Sequence, residues 1–112
     1  MTVITDEYMK QMLAKTRSYS LVLLRPTAKR AAPEADALVW EHGRRNFELR
    51  AAGRLAIVCP VTAPGDLAGL GIFDATEDEV RRIMDDDPAV RAGLFTYEVH
   101  PVRGFPGDAL PG

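Results

Sequence analysis

Between Tyr19 and Val102 four short apolar runs are interleaved with two segments of helical period, and that order leaves few ways to fold. The first run, Tyr19-Ser20-Leu21-Val22-Leu23-Leu24, is rich in branched and aromatic side chains and is closed by Arg25-Pro26. Its apolar character is nearly continuous rather than alternating, which predicts a strand covered on both faces. A loop over Thr27–Ala32 leads to Pro33, whose fixed φ suits the first turn of a helix. Ala35, Leu38, Val39, His42, Asn46 and Leu49 then recur at three- and four-residue spacing, so one stripe of that helix faces inward. Gly53 predicts the stop, because glycine adopts the left-handed conformation that closes a helix without a steric cost.

The second run, Leu55–Val61, and the third, Leu67–Phe73 with Gly69 and Gly71, flank the turn Ala63-Pro64-Gly65-Asp66. So short a link favours an antiparallel hairpin. Thr76 followed by Glu79 is a capping box, and the helix it opens runs through Val80, Ile83 and Met84. That helix ends near Asp87-Pro88, since the residue before proline avoids the helical region. After the turn Ala92-Gly93 the last strand is expected over Leu94–Val102. The order is β-α-β-β-α-β, and the connection rules select the split βαβ arrangement of a ferredoxin-like α+β fold. Two helices then cover one face of a four-stranded antiparallel sheet. The other face is apolar as well, and a second copy of the chain is its simplest cover, so a homodimer is expected.

Before this unit, residues 1–17 are expected to add a helical extension. Tyr8, Met9, Met12 and Leu13 form an amphipathic pattern, with Thr5 or Asp6 as the cap. Residues 104–112, with two prolines and three glycines, are expected to be an irregular tail. At 112 residues the whole chain reads as a single domain. A net charge of −2, without a dominant basic field, argues against a nucleic-acid binder. Arg44-Arg45 and Arg81-Arg82 are expected on solvated helix faces. With one cysteine, Cys59, no internal disulfide or cysteine-based zinc site can form, which suits a reducing cytoplasm. No apolar stretch reaches the ~18 residues of a membrane span, and no signal peptide is evident.

Several groups of residues resemble the YciI-like (YCII-related) family in their order and spacing. They are Glu41-His42, Gly53-Arg54-Leu55, the stretch from Asp87-Pro88 to Gly93, Tyr97-Glu98-Val99-His100-Pro101, and Phe105-Pro106-Gly107-Asp108. The likeness runs from about Tyr19 to Pro111. It implies a ferredoxin-like subunit in a dimeric α/β barrel, with an active site built on His42 and Asp87. It also implies relatedness to enzymes that remove halide from a chlorinated hydroxyquinone, within a fold that includes lactone isomerases and cofactor-free oxygenases. Where such proteins usually carry Gly-Pro after the second strand, this chain has Cys59-Pro60.

His42 can be read as a buried histidine bonded to backbone or to Asn46, or as a proton carrier, since an imidazole titrates near neutral pH. Asp87 can be a solvated member of the run Asp85-Asp86-Asp87, or a carboxylate that orients His42. Acids near a helix C-terminus are unfavourable by ~0.3–1 kcal/mol each, which hints at another purpose for the run. Arg25, Asn46, Cys59 and His100 are candidate substrate-binding residues; each also has a plain structural reading, as an ion pair, a hydrogen-bond partner, a buried thiol or a strand-end histidine. No metal-ligand spacing, phosphate loop, nucleophile elbow or dinucleotide fingerprint occurs, so neither metal nor cofactor is expected. Two functions remain open. One is an enzyme, a lyase or isomerase in which a His42–Asp87 pair moves protons on a small cyclic or phenolic metabolite by isomerisation or by elimination with dehalogenation. The other is a dimeric small-molecule-binding or regulatory module that turns nothing over.

Overall fold

Four strands pair antiparallel throughout, and the two that are adjacent at the centre are not adjacent in sequence. The computed structural model describes residues 1–112. Its elements run α1 (Asp6–Ala14), β1 (Arg17–Pro26), a 3-10 turn (Ala28–Ala31), α2 (Ala35–Ala51), β2 (Leu55–Pro60), β3 (Gly69–Phe73), α3 (Glu77–Asp85), α4 (Pro88–Arg91) and β4 (Phe95–Gly104). The strand order β2-β3-β1-β4 is that of a ferredoxin-like sheet. β1 pairs with β4 from Arg17↔Gly104 to Pro26↔Phe95, and with β3 from Ser20↔Phe73 to Leu24↔Gly69. Both edge strands carry a proline, Pro60 on β2 and Pro101 on β4, which is where a sheet tolerates a missing donor.

The core lies between the sheet and its helices. Val22 and Leu24 of β1, Leu55, Phe73 and Phe95 of the other strands, and Val80 and Met84 of α3 are all buried there. Ser20 is buried among them without loss, because its hydroxyl donates to the Ala75 carbonyl at 2.8 Å. α3 opens on the expected capping box: Thr76 Oγ1 accepts from Glu79 N–H while Glu79 reaches back to the Thr76 backbone. Thr5 caps α1 through Tyr8 N–H. No helix is long and apolar enough to cross a membrane.

Some expectations need correction. Pro33 lies outside α2, which begins at Ala35 behind Glu34, so the proline shapes the approach rather than the first turn. β1 is covered on one face only within a single chain: Ser20, Val22 and Leu24 are buried, while Leu21 and Leu23 are half-buried. The polypeptide after Asp87 does not pass straight to the last strand but makes the short helix α4. Four residues are too few to show a helical period, so that element leaves no pattern to read.

The end of α2 is set by Gly53, at φ 75°. Gly53 N–H bonds the Arg50 carbonyl and Arg54 N–H bonds the Leu49 carbonyl, the paired closure of a Schellman motif. Because α2 carries His42, this closure also fixes the register of the stripe that faces the sheet. Gly53→Ala is expected to lose about 1–2 kcal/mol from left-handed strain, measured as a lower urea midpoint with an unchanged m-value.

Candidate functional site

α2 places His42 on its inward stripe, with Val39 one turn before it and Asn46 one turn after. α3 and α4 supply its partner. Pro88 cannot continue α3, so the chain breaks at Asp87, whose backbone is extended at φ −70°, ψ 132°, and starts again as α4. Asp87 is therefore the N-cap of α4 rather than the tail of α3. Its Oδ2 accepts the N–H groups of Ala89 at 3.0 Å and Val90 at 3.2 Å. Its Oδ1 lies 2.9 Å from His42 Nδ1. The expected penalty for this acid is thus reversed, because a carboxylate at a helix N-terminus is favourable. Asp85 and Asp86 do sit at the end of α3, and each has company. Asp85 accepts the Tyr97 hydroxyl, and Asp86 lies near Arg91 and Arg45 at 3.7 and 4.0 Å.

Asp87 is 1% exposed. Burial alone would raise its pKa, but the bond and charge of His42 outweigh that, helped by the Val90 and Ala89 N–H groups, and its carboxyl is held below the usual range. The group is then an anion at neutral pH and can only accept. Nδ1 of a neutral His42 must carry the hydrogen, which leaves the lone pair on Nε2. Asn46 Nδ2 lies 3.4 Å from that nitrogen. The imidazole leans on Phe95, with ring centroids 5.5 Å apart at 47°. Arg45, one turn beyond His42, holds its guanidinium 3.7 Å from Asp87 Oδ1.

His42 and Asn46 open onto a mostly apolar cavity of about 240 Å³ between α2 and the sheet, with Val22, Leu24, Phe73 and Cys59-Pro60 among its walls. Gly69 and Gly71 form part of its floor. A Cβ on Gly71 would sit 3.1 Å from Leu55 Cδ1, and one on Gly69 would sit 3.2 Å from the Cys59 carbonyl, so this floor accepts no side chain without adjustment. Glycine inside a strand pattern is a recognisable signal of close approach. Phe95, by contrast, gave no signal of its own beyond its place on a strand, and Arg45, expected with Arg44 on a solvated face, instead turns a side chain only 23% exposed toward Asp87.

The structure thus brings together His42, Asp87 and Asn46, while Cys59 gives the cavity wall its backbone and, paired across from Leu70, turns its side chain to the outer face of the sheet. It does not bring Arg25 or His100 there. Arg25 alternates with Leu24, and His100 with Val99, so both lie on the face of the sheet turned away from the helices. Arg25 Nε donates to Glu98 Oε1 at 2.8 Å, and its Nη1 donates to Asp66 Oδ2 at 2.9 Å. His100 Nε2 lies 2.9 Å from Glu98 Oε2. These bonds, His100 first and Arg25 next, lower the Glu98 pKa. No three His, Cys, Asp or Glu side chains converge into a metal-binding group.

A sheet in the order β2-β3-β1-β4, covered on one face by helices, with an imidazole anchored by a helix-capping carboxylate beside an apolar cavity, defines a small ferredoxin-like domain with a candidate ligand site. The family model of the YCII-related domain matches residues 9–103, and the chain belongs to that family. Among solved structures it is similar to a 5-chloro-2-hydroxyhydroquinone dehydrochlorinase from Burkholderia phenoliruptrix, in complex with 2,5-dihydroxybenzoquinone. That likeness has a TM-score of 0.57 and 23% identity, over 73% of this chain and 90% of the other, and it bears on the fold alone. No curated protein matches the chain.

Replacing Asp87 tests the anchor. Asp87→Ala is expected to cost about 3 kcal/mol, since it strips a buried partner from His42 and leaves two N–H groups of α4 uncapped. The depressed pKa sets the sign of the pH dependence. The stabilisation is fully present above the unfolded carboxyl value of ~3.9 and disappears as pH falls through the lower folded value. Urea denaturation between pH 3 and 7 should show a steep acid loss in the parent chain and a shallower one in Asp87→Asn.

Proposed function

We propose that the protein is a small-molecule enzyme in which His42, oriented by Asp87, transfers a proton on a compact cyclic or phenolic substrate without a cofactor. One observation carries the reading: a buried, ionised carboxylate on Nδ1 leaves Nε2 as the basic atom, beside an apolar cavity of one-ring size. In the forward step Nε2 takes a proton from an acidified C–H or O–H of the ring. The released electron pair forms a new π bond. It either draws the proton back at another carbon, which is isomerisation, or expels a leaving group such as chloride with its bonding pair, which is elimination. Asp87 stabilises the imidazolium without itself becoming protonated. Asn46 would hold a ring oxygen, and the apolar walls would exclude water. The dehydrochlorinase likeness and the family are consistent with a halogenated or hydroxylated ring, the class we favour.

A second reading, a binding or regulatory module, draws on Asn46. If its amide donates to His42 Nε2 across 3.4 Å, the lone pair is already engaged and the site holds a ligand without acting on it.

The working unit in either case is proposed to be a homodimer paired through the outer face of the sheet. Only 14 of 112 residues are buried in one chain, so its own core is thin. Leu21, Leu23, Leu70 and Ile72 are half-buried on the outer face, where a partner would cover them. Arg25 and His100 would then face the partner subunit rather than the cavity of their own chain. The unpaired Cys59 fits a reducing, cytoplasmic setting.

A thermal-shift screen of phenols, hydroxyquinones and lactones on the parent chain and on His42→Ala separates the readings. Binding to both, with turnover lost by about 100-fold or more in the variant, is the enzyme result. Binding to both without product from either is the module result. Light scattering is expected to give twice the chain mass of 12.3 kDa, and a species of single-chain mass at micromolar concentration would contradict the pairing.

A further inference from the structure

We infer that the cavity takes a planar ring with oxygens on two adjacent carbons, one of them a hydroxyl, and that Asn46 selects this pattern over its isomers. The inference rests on the proposed enzyme reading of the same cavity and narrows it from a substituted ring to one arrangement of substituents. The spacing of two atoms carries it. His42 Nε2 and Asn46 Nδ2 lie 3.4 Å apart, on side chains one turn apart along α2, and both residues line the cavity.

The two atoms are opposite in kind. Asp87, at 2.9 Å, takes the hydrogen of Nδ1, so Nε2 of the neutral ring can only accept. An amide oxygen turned toward that lone pair would set two acceptors against each other, and the amide nitrogen faces it instead. At 3.4 Å their contact is near the long limit of a hydrogen bond, so a ligand that replaces it gives up little. The wall of α2 therefore presents one acceptor and one donor side by side.

A ligand that satisfies both needs a donor and an acceptor at matching spacing. Adjacent ring oxygens stand slightly closer together than the two nitrogens, so two bonds of ordinary length run nearly parallel to Nε2 and Nδ2. A lone hydroxyl touches both nitrogens only with its two bonds about 73° apart, well inside the tetrahedral directions of its hydrogen and lone pairs. Oxygens in a meta or para relation are too far apart to reach both. Val22, Leu24, Val39, Leu55, Phe73 and Phe95 then leave the distant oxygen without a partner, and burying a polar group unpaired is costly. In the proton transfer the hydroxyl gives its hydrogen to Nε2 and keeps the bonding pair as a ring oxyanion. The Asn46 amide holds the neighbouring oxygen, so the ring cannot turn the reacting one away from the imidazole.

The three benzenediols test this, because they contain the same atoms and differ only in where the second oxygen stands. Dissociation constants of catechol, resorcinol, hydroquinone and phenol are to be measured under argon by NMR titration of the parent chain, Asn46→Ala and the near-isosteric Asn46→Leu. The parent is expected to bind catechol about tenfold more tightly than the other three, the worth of one well-made hydrogen bond. Both variants should keep the phenol affinity of the parent and bind catechol no more than about twofold better than phenol. Resorcinol or hydroquinone binding the parent as tightly as catechol overturns the proposal and leaves a ring site standing. A catechol preference that survives in a folded variant overturns the role of Asn46. If none of the four binds the parent at millimolar concentration, the enzyme reading of the cavity falls as well.

Discussion

Much of the geometry around the cavity turns on where the Asp87 carboxylate sends its lone pairs. One oxygen closes the first turn of α4 and the other holds the ring of His42, so a single buried anion ties the connection after α3 to the middle of α2. Three separate requirements meet in it. The chain has to break before Pro88, the new helix has orphan N–H groups to satisfy, and the imidazole needs an acceptor on Nδ1 to choose its tautomer. Arg45 adds a positive charge near the same carboxylate from the α2 side. The buried charge is tolerable because every contact is a donor or a cation.

The two faces of the sheet carry different chemistry. The helix side holds the apolar cavity with its two polar groups, His42 and Asn46, while the outer side mixes leucine and isoleucine with the chain Asp66–Arg25–Glu98–His100. That separation follows from the two-residue period of a strand and nothing more elaborate: Leu24 and Arg25 are neighbours in sequence and point to opposite sides. Groups that look close on the page can therefore serve different surfaces.

The sequence made much of this legible. The strand and helix order, the closure at Gly53 and the capping box of Thr76 and Glu79 are local signals written in short spacings, and each appears where expected. His42 and Asp87, placed together by family resemblance, lie within hydrogen-bond distance. α4 was not legible, because one turn is shorter than any periodic pattern, and without it the role of Asp87 as an N-cap was hidden. Nor could spacing alone say which face of β1 and β4 the helices would cover, so Arg25 and His100 could not be sorted from the cavity residues. The floor made by Gly69 and Gly71 was visible as two strand glycines, but its use depended on α2 lying opposite.

The prolines on the two outermost strands have a consequence for how copies of this protein meet. A ladder extended beyond β4 would find no donor at Pro101, and one extended beyond β2 would find none at Pro60, so neither border offers an uninterrupted template for another strand. Growth by sideways accretion, the route toward fibrils, is discouraged at both borders. A contact through the sheet face about a twofold axis would, by contrast, use the same patch on both copies and close at two.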